Sequence, residues 1–344
     1  MKARIGLGLM VLGMLAAGCS RKPEPQYVTS AALQKLDEPL RKPVTDVVLK
    51  ECGTYASPKM FREPGFSTET LKLGQAVYTQ RCQQCHGTTG DGAGPVAEHM
   101  RPRPRDYRPG VFKFTTTPYG AKPQKSDLIR TVTNGIPGTS MPSFRLLPKK
   151  EMDAVVDYVL SLTHRGELEN MLIQSVDAEG EVNEDIVNDS IETVLSRWQG
   201  MKAQEVQPKT PEPDFTRDMV VAGKQAFLSK GCSKCHGEDG RGQTAENIGV
   251  DSWGHPTRAA DLTSGMLHGG SRPVDIYRRI VSGINGTPMP GFALALAEEP
   301  DTIWNLTSYV LYLSNERRRG KIPLAGTPMP FDAAAKTLQP EAAE

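Results

Sequence analysis

The chain has 344 residues, enough for two or three domains at the usual size of about 100 to 200 residues each. Its 41 basic and 40 acidic residues nearly cancel to a formal charge of +1, which excludes the strong positive imbalance of a general nucleic-acid binder. Hydrophobic residues make up 38% beside 27 prolines and 33 glycines, a composition of globular units with much loop.

In chain order, the first feature is an N-terminal segment with Lys2 and Arg4, an apolar run from Ile5 to Ala17, and small residues ahead of Cys19. Charge, length and boundary predict a signal peptide over residues 1–19. The run is shorter than the about 20 residues a membrane-spanning helix needs. Leu15-Ala16-Ala17-Gly18-Cys19 resembles a bacterial lipobox, with alanine in place of leucine three positions before the cysteine. That resemblance implies export to the periplasmic face and anchoring to the membrane through a lipidated Cys19, several acyl chains giving the stable attachment that one does not. Residues 20–66 carry no strong period and are expected to tether or wrap. Their Cys52 is the odd cysteine of the chain, to be read either as a small buried residue or as half of an intermolecular disulfide.

Two copies of one string follow, Cys82-Gln83-Gln84-Cys85-His86 and Cys232-Ser233-Lys234-Cys235-His236, 150 residues apart (232 minus 82). A bare C-x-x-C would also suit a redox dithiol or half a zinc site. C-x-x-C-H is the pattern of covalent haem c attachment: thiols at i and i+3 reach the two vinyl groups of one porphyrin, and the next histidine reaches the iron.

The surroundings repeat as well. A glycine and an aromatic residue one helical turn apart precede each string, Gly74 with Tyr78 and Gly223 with Phe227, and the glycine invites the close approach of a second helix. The expected partners are the apolar segments 153–162 and 304–313, which share Tyr-Val-Leu-x-Leu at Tyr158 and Tyr309. Between them, Gly135-Ile136-Pro137-Gly138-Thr139-Ser140-Met141-Pro142 matches Gly283-Ile284-Asn285-Gly286-Thr287-Pro288-Met289-Pro290. The methionines lie 59 (141 minus 82) and 57 (289 minus 232) residues after the first cysteines, and are the candidate sixth iron ligands. Thioether sulfur is a soft donor that raises the reduction potential, and the following proline stiffens the loop. Met329 sits in similar words but after the closing helix, and is assigned to the tail.

With helix, C-x-x-C-H, methionine loop and closing helix in that order, each unit resembles a class I cytochrome c domain. The resemblance implies an all-α fold of two tandem domains, residues 67–164 and 216–316, each a few short helices around one covalent haem. Proximal ligation would fall to His86 and His236, distal ligation to Met141 and Met289. Residues 165–215 form an acidic linker, with Ile186, Ile191, Val194 and Trp198 spaced as an amphipathic helix expected to pack within the chain; residues 317–344 form a tail.

Arg101, Arg103, Arg105, Arg108 and Lys113 crowd one loop. Arg105 or Tyr107 is expected to contact haem propionates, and the remaining charge to meet an acidic redox partner. With Val111-Phe112-Lys113-Phe114, this string also resembles lipoprotein cytochrome subunits attached to bacterial quinol-oxidising complexes and terminal oxidases. His268 is the one rival ligand for the second iron. The function expected is single-electron transfer in a respiratory chain between a donor and an acceptor protein, with no nucleic acid bound. The competing readings are a dihaem redox enzyme of peroxidase or thiosulfate-oxidising type, and a fixed subunit of a membrane complex.

Overall fold

The computed structural model describes residues 26–63, 66–199, 204–247 and 249–318. The signal segment with Cys19, and Met329 with most of the tail, lie outside the described residues. No described helix is long and apolar enough to cross a membrane.

Helix α3 (Thr68–Arg81) opens the first unit, its first turn capped by the Ser67 hydroxyl, which accepts from Thr70 N at 3.1 Å. Helix α4 (Gln83–His86) follows at once, α5 (Lys125–Asn134) comes after the basic loop, and α6 (Lys149–Glu179) closes the unit. The second unit repeats the order with α8 (Arg217–Ser229), α9 (Cys232–His236), α10 (Pro273–Ser282) and α11 (Pro300–Arg318). Thr216 caps α8 as Ser67 caps α3.

The expected helix crossings are present. A Cβ on Gly74 would overlap the Ala154 carbonyl of α6, and one on Gly223 would overlap the Asn305 carbonyl of α11. Only hydrogen at those positions lets the backbones approach so closely. Around each crossing lies an apolar core, Tyr78, Val155, Tyr158 and Leu162 in the first unit, Phe227, Trp304, Tyr309 and Leu313 in the second. Aromatic pairs tie the crossing helices, Tyr78–Tyr158 and Phe227–Tyr309, both with ring centroids at 5.3 Å.

The residues expected to tether do something more definite. Residues 31–35 form α1 (Ala31–Lys35), and residues 38–52 form α2 (Glu38–Cys52). On α2, Val44, Val48 and Cys52 recur every fourth residue and are buried against Leu168, Leu172 and Val176 of α6 and Ile191 and Val194 of α7 (Glu184–Gln199). A third core is thus assembled from both sides of the first cytochrome unit, each fully buried aliphatic side chain contributing about 1.5–3 kcal/mol. The domain boundary expected at residue 164 falls inside α6, which runs without a break from one core into the next until Gly180, at φ +74°, ends it. The stripe on α2 is only three side chains long and begins directly after Pro43, a residue that argues against a helix, and so its period was hidden. Cys52 is 3% exposed within this core, and burial pushes its thiol up to about 12, so the buried reading holds and the intermolecular disulfide does not.

A short hairpin, β1 (Gly249–Val250) with β2 (Pro256–Thr257), is peculiar to the second unit and pairs Gly249 with Thr257 and Val250 with Pro256. Its loop reaches the first unit.

Two candidate haem sites on duplicated loops

Cys82 both ends α3, its N–H bonded to Tyr78 O at 2.8 Å, and starts α4, whose single turn carries Cys85 and His86. Gly87 at φ +75° stops that turn, as Gly237 at φ +74° stops α9 after His236. One helical turn therefore brings both thiols of a string to one side with the histidine beside them.

Each histidine is held by a backbone carbonyl. His86 Nδ1 lies 3.2 Å from Arg105 O, and His236 Nδ1 lies 3.1 Å from Ala260 O. A carbonyl only accepts, so Nδ1 carries the proton and Nε2 keeps its lone pair for a metal. Burial pushes the His86 ring down to about 4, and likewise lowers His236, favouring the neutral form that can ligate. The carbonyls come from matched positions. Tyr107 N bonds Gly90 O and Leu262 N bonds Gly240 O, both at 2.8 Å, two residues after Arg105 and Ala260 respectively. Since an alanine does the same duty in the second unit, the Arg105 guanidinium is not required for holding the histidine.

The methionine loops are held by the same set of matched hydrogen bonds. Ile136 N bonds Met141 O at 3.1 Å and Ile284 N bonds Met289 O at 3.2 Å. Thr139 and Thr287 each donate their hydroxyl at 2.8 Å to the isoleucine carbonyl, and accept from the methionine N–H at 3.2 and 3.3 Å. Phe144 N then ties the first loop to Val132 O, and Phe292 N the second to Ile280 O. These are two rigid straps of one design.

In the first unit, Cys82, Cys85, His86 and Met141 line a single cavity whose other walls include Tyr107, Phe112, Leu128, Val132, Ile136, Val155 and Val159. Two thiols, an imidazole and a thioether facing one apolar chamber are the donor set and surroundings that suit a covalent haem. Tyr107, 7% exposed, stacks on the His86 ring with centroids at 4.8 Å and so steadies it from the side. Arg105 and Lys113 also border the cavity.

His268, expected as a rival ligand in the second unit, instead lines the first cavity beside Met141. Its Nε2 faces Gly138 of the first strap, within 3.3 Å of where a Cβ would stand. The physical reason is that the loop after Leu262–Ser264 packs across the joint between the units, a contact that no local spacing encodes. The same joint brings in Asp251 and Trp253, which sequence reasoning passed over because the hairpin has no counterpart in the first unit.

An all-α unit closed by a glycine-spaced helix pair around a C-x-x-C-H turn and a methionine strap is the architecture of a c-type electron-transfer domain, and this protein has two. The family described as cytochrome C oxidase, cbb3-type, subunit III matches residues 69–159, and the family described as cytochrome c matches residues 220–314. Among solved structures, a chain of the Kuenenia stuttgartiensis reducing HAO-like protein complex is similar at 31% identity and a TM-score of 0.56, covering 70% of this chain and 96% of its own. No curated protein matches. The chain belongs to the cytochrome c family as a tandem of two c-type domains whose cofactors are two covalent haem c groups.

Proposed function

We propose that this protein is an exported dihaem carrier, held at the periplasmic face by lipidated Cys19, that passes single electrons along a respiratory chain. The electrons come from a quinol-oxidising complex or small carrier and leave to a terminal oxidase or reductase. Cys82 with Cys85, and Cys232 with Cys235, attach the two haems. His86 and His236 are the proximal ligands; Met141 and Met289 are the distal ones.

The observation that carries this reading is the duplicated strap, in which the same threonine and isoleucine fix a methionine, in the first unit on the wall of the cavity that His86 also lines. Haem iron supplies one-electron chemistry. The protein's part is to saturate it. The Arg105 and Ala260 carbonyls keep the imidazole protons on Nδ1, the straps fix the methionine backbones, and apolar side chains wall the first cavity. With an imidazole and a thioether both offered to the iron, no coordination position would remain for a substrate, which favours a carrier over a peroxidase-like enzyme. Likeness to a subunit of a cytochrome c oxidase and to a chain of an HAO-like protein complex supports a place beside other redox proteins.

Absorption spectra of the oxidised protein and of Met141→Ala and Met289→Ala test it. The weak long-wavelength band of methionine-ligated ferric haem should fall by about half in each single variant and vanish in the double one. A high-spin haem in the unmodified protein would overturn the carrier reading for that unit.

A further inference from the structure

The basic loop of the first unit and the hairpin loop of the second meet in a buried charge cluster. Asp251, at 6% side-chain exposure, faces two cations of the other unit, Arg105 at 3.7 Å and Lys113 at 3.5 Å. The Arg105 guanidinium lies 3.4 Å from the centre of the Trp253 ring, and Trp253 Nε1 donates to Asp106 O at 3.1 Å. The hairpin loop is itself fixed. Asp251 Oδ1 accepts from Trp253 N and His255 N, Ser252 N bonds Gly286 O of the Met289 strap at 3.0 Å, and only hydrogen on Gly286 leaves room for the Trp253 ring.

The charges in this cluster do not balance. Asp106, the carboxylate next to Arg105 in the chain, is already gripped by Arg108 with two bonds of 3.0 and 2.8 Å. Arg105 and Lys113 are thus left to share one carboxylate, at 18% and 17% side-chain exposure. Buried cations in excess call for an anion. Both side chains border the first cavity, as does His268 from the second unit.

We propose that the first haem site is shared between the two units: Asp251 and Trp253 of the second unit set Arg105 and Lys113 of the first to receive the anionic propionate carboxylates of the first haem, with His268 completing the cavity wall. The reading rests on haem attachment at Cys82 and Cys85. Its consequence is that residues of the second repeat tune the first haem. In the second unit the position matched to Arg105 is Ala260, which brings no cation to that point.

Redox titration of the full dihaem protein tests this, the first couple being the one that Met141→His displaces. A positive charge near haem disfavours its ferric form. Asp251→Asn should therefore raise the potential of the first couple, and Lys113→Gln should lower it. Each change is expected to be a three- to tenfold shift in the reduction equilibrium, at most about 59 mV for one electron, with the second couple unmoved. Equal shifts in both couples, or none in either variant, would overturn the shared site. Lys113→Gln lies outside the hairpin, so it decides the matter should Asp251→Asn disturb folding. Peptide mapping of haem attachment separates the two readings: no haem on the 82–86 peptide of the unmodified protein would overturn the haem assignment itself, whereas haem present with unmoved potentials removes only the sharing.

Discussion

Helices α6 and α11 do the same work over their first fourteen residues (149–162 and 300–313): each crosses the glycine of its unit's first helix and packs a Tyr-Val-Leu-x-Leu segment into the core. Beyond Leu162 they part. Helix α11 reaches Arg318, while α6 continues to Glu179 and uses Leu168, Leu172 and Val176 to gather α2 and α7 into a third core. The comparison separates what the cytochrome plan demands from what has been added to it. The plan is local and repeats, down to the single hydrogen bonds of the straps. The addition is built by extending one helix a few turns, which supplies a ready-made apolar face at no new loop.

The sharpest way to break the equivalence of the two units is at the crossing glycines. In an ordinary helix Gly→Ala stabilises by up to about 1 kcal/mol. At Gly74 and Gly223 the added methyl meets backbone carbonyls that belong to another helix, so the sign reverses. We expect Gly74→Ala and Gly223→Ala each to destabilise by about 3 kcal/mol or above, measured by denaturant unfolding. A cost in only one of them would show that the crossings are not alike.

The third core has a signature that the second unit lacks. His164 is 6% exposed, packed on Trp198 with centroids at 4.6 Å and on Phe61 at 6.3 Å, and neither ring nitrogen has a hydrogen-bond partner among the described residues. Burial, with Lys122 nearby, pushes its pKa from 6.5 down to about 4. The folded state therefore binds fewer protons than the unfolded one. Its contribution is whole above about pH 6.5 and is lost as pH falls through about 4, amounting to about 3 kcal/mol. Unfolding of His164→Leu followed across that window should show the acid loss reduced by that amount; an unchanged pH profile would mean the ring reaches water.

The helix caps should give the smallest and most even effects. Ser67→Ala and Thr216→Ala each remove a side-chain acceptor from the first turn of an equivalent helix, and each should cost about 1 kcal/mol in thermal unfolding. A difference well beyond that between the two would sharpen the comparison by locating asymmetry at the start of the units rather than at their ends.

Most of what the cytochrome plan requires was legible in the chain because it is carried by residues close together. A thiol pair and a histidine within five positions, a glycine one turn from an aromatic ring, and a strap of eight residues need no knowledge of distant contacts. Repetition then removed coincidence. The N-terminal helices were less legible. The α2 stripe of Val44, Val48 and Cys52 is thin, begins directly after Pro43, and gains its meaning only from α6 and α7. Lys122 and Glu167, an ion pair completed by Trp198 Nε1 at 2.6 Å, likewise come from three separate segments.

The sequence by itself determined the two C-x-x-C-H turns, the two methionine straps and the helices that hold them, because local spacing sets which side chains share one helical turn or one loop. Only the tertiary structure decided that His268 faces the first cavity, that Asp251 and Trp253 grip Arg105 and Lys113, and that α6 belongs to two cores at once. Those outcomes depend on how surfaces far apart in the chain meet, and burial and charge balance at such a joint exist only once both sides are in place.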